Sequence, residues 1–449
     1  MPAPLLASLL GVWEAVFSHA MTRPSFSNLL VVAVGWVMTD APIRTITETL
    51  LATSIPERRH HEAFHRLFSR GTWDPDHVGH WLLQQLLKYT APQAPLRLVM
   101  DDTVKGGKGA HVFGLGTHID AVRSTKRYRV FIIGHCWVVL AVLLPVPFSR
   151  RAWALPVLFR LYRNKKECAK NGATYRKKTE LAREMIDVLC GWVPGRRIEL
   201  TGDSAYCNDT IMDGLPDRCV LIGTMRPDAV LTAPPPPHTG VGRPRRRGDT
   251  LPKPEQLAKD ASTPWQTCEA FVYGRMIQMR YKMMCAQWYR ACGTRLLRIV
   301  VVATTKGTIP YRVFFSTDPS LDARTIAESY AARWGIEVFF RDAKQLFGFA
   351  DSPARKATSV LRMVPFVGLL YSTLVLWFID DASTSPIAVP PRRPWYRHKR
   401  GRSFADVLRA ARKVLRGVDI LDPVNHPANL DNNRAPEKPP GVHAADMAA

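Results

Sequence analysis

A chain of 449 residues exceeds one average domain and can bury a sizeable core, and 46% apolar residues excludes a wholly disordered protein. Its 62 Lys and Arg against 38 Asp and Glu leave a formal charge of +24; that is far more than solubility asks for, so the expected partner is a polyanion, nucleic acid being the commonest. The eight cysteines contain no C-x2-C pair, which argues against a zinc or disulfide framework and for reduced thiols in a cytoplasmic protein; the start, Met1-Pro-Ala-Pro, lacks the basic region of a signal peptide.

Residues 1–92 read as a helical DNA-binding domain. Apolar residues recur at helical spacing over 9–17, 29–37 and 78–87, and Arg23-Pro24, Ala41-Pro42 and Asp74-Pro75 mark turns. Residues 55–68 form a basic amphipathic pattern suited to a DNA groove. His61 and His65 lie one helical turn apart, but with no further ligand cluster they read as phosphate contacts or surface packing.

Residues 93–225 change character. A short apolar run over 96–100 ends in Asp101-Asp102-Thr103, and Lys105-Gly-Gly-Lys108 follows as a cationic loop. Carboxylates where a strand leaves the core are costly unless something positive binds them, or unless they cap a turn. The basic stretch 118–127, with Arg123 and Lys126, carries donors for phosphate. Residues 127–133 and 136–144 read as two adjacent strands separated by Gly134-His135, and 179–190 as an amphipathic helix. A strand over 197–201 then leads through Gly202 to Asp203, and 219–224 reads as the next strand.

Residues 226–320 are expected to be an insertion subdomain. Its first part is a basic, Pro-rich linker with Arg243, Arg245 and Arg246, similar to minor-groove arms and to any basic linker; its second part alternates like strands over 271–281, 296–303 and 312–316. Trp265 and Trp288 stand at the edges of those strands. Residues 321–382 contain a predicted helix from Tyr330 to Lys344. At helical spacing Tyr330, Arg333, Glu337, Arg341 and Lys344 share an arc of about 80°, so one carboxylate stands among cations and an aromatic hydroxyl. That set suits a phosphate backbone held beside a metal-bound oxygen, the bland alternative being a solvated helix face. The apolar run over 363–379 matches the shortest membrane spans in length but is expected to be a buried helix against a sheet. Residues 383–422 form a basic segment and short helix, and 423–449 a disordered tail.

The spacing Tyr-x2-Arg-x3-Glu-x6-Lys, here Tyr330, Arg333, Glu337 and Lys344, resembles the signature of a large class of bacterial insertion-sequence DDE transposases of the retroviral integrase superfamily. The resemblance implies an α/β fold: a ribonuclease-H-like mixed sheet with helices, interrupted by a β-rich insertion subdomain and preceded by an all-α domain. It implies that Glu337 is the last of three metal-binding carboxylates, with Asp203 the second and either Asp101 or Asp102 the first. Asp101 matches better, because the class often shows Asp, one residue, then Thr, as at Thr103. Two Mg²⁺ ions, with Mn²⁺ as substitute, would serve cleavage and strand transfer on double-stranded DNA, at inverted-repeat ends and at a target. Tyr330, Arg333 and Lys344 would position phosphates, an aromatic such as Trp265 or Trp288 would hold a flipped base, and a homodimer would hold two ends. The competing readings are a silent or domesticated DNA-binding regulator, an RNA-processing nuclease and a membrane protein built on 363–379.

Overall fold

The strand after residue 95 sets the architecture. In the computed structural model, which describes residues 13–53, 59–120, 123–125, 127–238, 240–241, 243–303, 310–382, 389, 394–395 and 401–416, β1 (Leu96–Gly106) has Leu96, Leu98, Val99 and Met100 fully buried. Apolar side chains on both faces mark a central strand covered above and below. β2 (Gly116–Ile119), β3 (Phe131–Leu144) and β4 (Trp153–Tyr162) follow, then β5 (Ile198–Thr201) and β6 (Cys219–Thr224). β1 runs antiparallel to β3 and parallel to β5, β5 runs parallel to β6, and β4 lies on the far edge of β3.

The strands predicted on either side of Gly134 are one strand. Gly134 pairs with Gly106 on β1, and a Cβ there would stand 2.1 Å from the carbonyl oxygen of Lys105. The glycine permits a close approach of two backbones instead of interrupting one.

The strands of the 226–320 segment also differ from expectation. β7 (Leu231–Thr232), β8 (Thr250–Leu251), β9 (Gln266–Val272), β10 (Arg275–Gln287), β11 (Leu296–Ala303) and β12 (Tyr311–Ser316) continue the same sheet. β12 pairs antiparallel with β6, and the 12-stranded sheet runs β2-β3-β1-β5-β6-β12-β11-β10-β7-β8, with β4 on β3 and β9 on β10. The segment is joined edge to edge through backbone hydrogen bonds.

Helices cover the sheet. α1 (Arg23–Met38), α2 (Glu62–Ser69) and α3 (Pro75–Leu87) precede it, α4 (Lys178–Trp192) links β4 to β5, and α5 (Ala323–Ala332), α6 (Trp334–Leu346), α7 (Ala357–Trp377) and α8 (Phe404–Leu415) follow β12. Caps fix their starts: the Asp74 side chain accepts from the Asp76 amide ahead of α3, and Asp322 accepts from the Thr325 amide ahead of α5. Residues from Trp13 to Leu415 share one hydrophobic core, so the N-terminal helices pack into the sheet's own interior. α3 meets β4 so closely that a Cβ on Gly79 would lie 2.1 Å from the Val157 carbonyl oxygen. α7 is long and apolar enough to cross a membrane, yet 89% of its apolar window is buried inside the protein. It is the core helix expected for 363–379, lying on β4.

The helix predicted from Tyr330 to Lys344 is two helices, α5 and α6, which meet at Arg333. The turn falls beside Gly335, where a Cβ would meet the Ala152 carbonyl oxygen at 3.2 Å. Residues 55–58, the tail 423–449 and most of the basic stretch 390–400 lie outside the described residues, as does Lys126.

Candidate active site

Two carboxylates reach one edge of the sheet by the same route. The parallel ladder between β1 and β5 ends at Val99 and Thr201, and Asp101 and Asp203 each lie two residues beyond that last pair. Asp203 opens a single turn of 3-10 helix, Ser204–Tyr206, and its Oδ1 accepts from the Ala205 amide at 2.8 Å. Glu337 comes from α6, and Arg333 joins it to the strand: one guanidinium nitrogen donates to Asp101 Oδ2 at 2.8 Å and the other to Glu337 Oε1 at 2.6 Å. Asp101, Arg333 and Glu337 are therefore joined, and Asp203 lies near enough to Asp101 to act on its carboxyl.

Its electrostatics are unbalanced. Burial, and then the charge of Asp203, push the Asp101 carboxyl up to about 7, with Arg333 only partly opposing them. Arg333 is held in its charged form despite burial by Asp101, Tyr330 and Glu337, and its Nε is buried with no hydrogen-bond partner. Lys344 is half-buried, donates to the Val104 carbonyl oxygen at 2.6 Å, and is drawn down to about 8 by burial and by Lys105. Lys105 itself is paired with Asp351 at 2.8 Å.

Asp102 faces the other way. Successive strand residues point to opposite sides of a sheet, and Asp102 is held there by Lys178 Nζ at 2.5 Å, the Tyr206 hydroxyl at 2.9 Å and the Cys136 thiol at 3.6 Å. The alternative first ligand is thus occupied on the far face, whereas Asp101 faces Arg333. Nothing in the sequence pattern marked Lys178. Tyr206 had a signal, since it stands three residues after Asp203.

The other predicted residues are more dispersed. Tyr330 packs on Phe314, ring centroids 4.8 Å apart, with the Arg333 guanidinium 5.6 Å from its ring. Arg341 turns from Glu337 to Asp342 at 2.8 Å and lines a cavity of about 530 Å³, shared with Arg97, Glu199, Tyr273, Trp334 and Val338. Lys108 and Arg123 are exposed on the loops past β1 and β2, and Arg243, Arg245 and Arg246 are exposed between β7 and β8. Trp265 lies beneath the cations of Arg280 and Lys282, 5.5 and 5.0 Å from its ring, and Trp288 packs edge-on against Phe315 at 5.6 Å. Both tryptophans have partners within the fold.

Among the described residues no three His, Cys, Asp or Glu side chains converge closely enough to hold a metal as they stand. The donors are nonetheless hard oxygens suited to Mg²⁺. Burial first, and Asp203 second, raise the Asp101 carboxyl, and the Arg333 fork lies between Asp101 and Glu337. The donors suit a divalent ion in kind, and Arg333 occupies the space between Asp101 and Glu337.

A family model described as DDE superfamily endonuclease matches residues 16–278. The chain belongs to that family. The matched part of this DDE superfamily endonuclease contains Asp101 and Asp203 and ends before Glu337. Among curated proteins none matches by sequence. Solved structures similar to it include the cryo-EM structure of a piggyBac transposase synaptic complex with hairpin DNA, at 12% identity and a TM-score of 0.45, covering 99% of this chain and 88% of that one.

Proposed function

We propose that this endonuclease is a DNA transposase, of the insertion-sequence class with the Tyr330, Arg333, Glu337 and Lys344 spacing, that cleaves and joins strands at element ends. The observation that supports the reading is that Asp101 and Glu337 share one arginine at the edge where parallel strands end, with Asp203 near enough to Asp101 to raise its carboxyl. The strand order β4-β3-β1-β5-β6, with only β3 running against its neighbours, supports a ribonuclease-H-like core. A net charge of +24 supports a polyanionic partner.

Asp101, Asp203 and Glu337 would hold the divalent ions, and Mg²⁺ or Mn²⁺ so held would activate the attacking oxygen and stabilise the leaving one. The chain's own contribution is positioning. Arg333, released from Asp101 and Glu337, has a planar fork that matches a phosphate bidentately. Lys344, fixed against the Val104 carbonyl oxygen, would supply a second cation for phosphate. Asp101 would have to be ionised to hold a cation, and burial with Asp203 raises its carboxyl to about 7, so its capacity as a ligand would grow as pH rises through 7. Water as nucleophile would free a 3′-hydroxyl, and that hydroxyl would attack the target in a second in-line displacement at the same site. Holding two ends calls for a homodimer, and the work would be done in the bacterial cytoplasm.

Asp203→Asn and Glu337→Gln are expected to abolish Mg²⁺-dependent cleavage of DNA carrying the element ends while leaving DNA affinity intact. Undiminished cleavage by either variant refutes the reading.

A further inference from the structure

The backbone ladder that brings β1 and β5 together stops at Val99 and Thr201. Beyond it nothing in the sheet fixes how far Asp101 stands from Asp203. A side-chain hydrogen bond spans this gap: the Tyr206 hydroxyl, from the turn that Asp203 opens, donates to Asp102 Oδ1 at 2.9 Å, next to Asp101 on β1. Tyr206 is only 1% exposed. Asp102 in turn receives Lys178 Nζ, from the first residue of α4, on its other oxygen. The packing leaves little slack, because a Cβ on Gly202 would lie 3.0 Å from the Met100 methyl and 3.1 Å from Tyr206 Cβ.

We propose that Tyr206 and Asp102 are positioning residues: from the far face of β1 they clamp the Asp203 turn to the strand that carries Asp101 and so set the separation of the two carboxylates. The proposal rests on the reading of Asp101 and Asp203 as metal ligands, and it gives Asp102 a role distinct from ligation. Its chemistry is that of an outer-shell support. A phenol and an ammonium engage the two carboxylate oxygens and hold Asp102 on the far face. Loss of such supports weakens metal affinity by about ten- to a hundredfold in other metal sites.

The test is Mn²⁺ binding by the full chain without DNA, read as the loss of the free-ion electron paramagnetic resonance signal, with the melting temperature and the KM for cleavable DNA measured alongside. Tyr206→Phe removes one oxygen and keeps the ring in the core. It is expected to raise the Mn²⁺ Kd about tenfold or more with KM for DNA within about twofold, and cleavage is expected to recover at high metal concentration. Asp102→Asn, the second variant should Tyr206→Phe fail to fold, is expected to weaken binding without abolishing it, whereas Asp101→Asn abolishes it. A lowered melting temperature with unchanged Mn²⁺ affinity in Tyr206→Phe would overturn the proposal, since it leaves a purely structural bond. Loss of binding in Asp102→Asn as complete as in Asp101→Asn would also overturn it, by making Asp102 a ligand. Wild-type Mn²⁺ affinity in both Asp101→Asn and Asp203→Asn would refute the site itself.

Discussion

Asp101 illustrates what a single residue can and cannot disclose in a sequence. Two adjacent aspartates after an apolar run announce a costly pair of charges, but they do not say which one is used. The answer depends on strand alternation continuing through the pair, and β1 does continue, to Gly106. Asp101 then faces Arg333 and Asp102 faces Lys178, a partner 76 residues away in sequence. The same burial makes a pH prediction. The Asp101 carboxyl is raised from its ordinary 3.8 to about 7, so the folded, metal-free protein binds this proton more tightly than the unfolded chain. Its stabilising contribution is present below pH 4 and is lost as pH rises through 7. A shift of that size corresponds to roughly 4 kcal/mol once the group is fully ionised. Urea titrations in a metal chelator should therefore show wild type losing stability between pH 4 and pH 7 relative to Asp101→Asn, and saturating Mg²⁺ should restore it. Parallel profiles for the two proteins would mean that Asp101 is not under this strain.

At the scale of elements, strands and helices with a strong apolar rhythm were legible, while their junctions were not. The 363–379 run was readable as a core helix because a charged, basic chain leaves few other places for it. Gly134 and Arg333 were misleading for opposite reasons. A glycine suggested a break where close approach to the Lys105 carbonyl needed a glycine, and a run without proline suggested one continuous helix where two helices meet at Arg333. The close approach of α3 to β4 gives a second prediction. Gly79→Ala places a methyl 2.1 Å from the Val157 carbonyl, so the helix must lift off the strand. The expected loss is about 1–3 kcal/mol, measured by urea titration. Gly172→Ala, whose Cβ would meet nothing within 4 Å, serves as the control for crowding, although its φ of +60° carries its own backbone strain. A Gly79→Ala protein as stable as wild type would mean that the helix and strand are less closely apposed.

At the scale of the molecule, charge spoke earliest. The excess of basic residues pointed to nucleic acid before any motif did, and the order Asp, Asp, Glu along the chain supplied the chemistry. What composition could not reveal is that residues 226–320 extend the sheet, because joining β12 to β6 depends on edge pairing that leaves no mark in local pattern. Binding by such a surface should be dominated by phosphate contacts. DNA affinity measured between 50 and 200 mM salt is expected to fall by about 10³–10⁵-fold if 6–10 phosphates are neutralised. A nearly flat salt dependence would argue against an extended DNA surface.

The central claim is that acids at 101, 203 and 337 together form one site for divalent cations. Iron-directed cleavage of the polypeptide tests it most directly: Fe²⁺ bound in place of Mg²⁺, with ascorbate and peroxide, cuts the chain beside the residues that hold it. The account predicts cuts near 101, 203 and 337 together, all suppressed by excess Mg²⁺ and all lost in Asp203→Asn. Cuts clustered elsewhere, or at one of the three positions without the others, would contradict it.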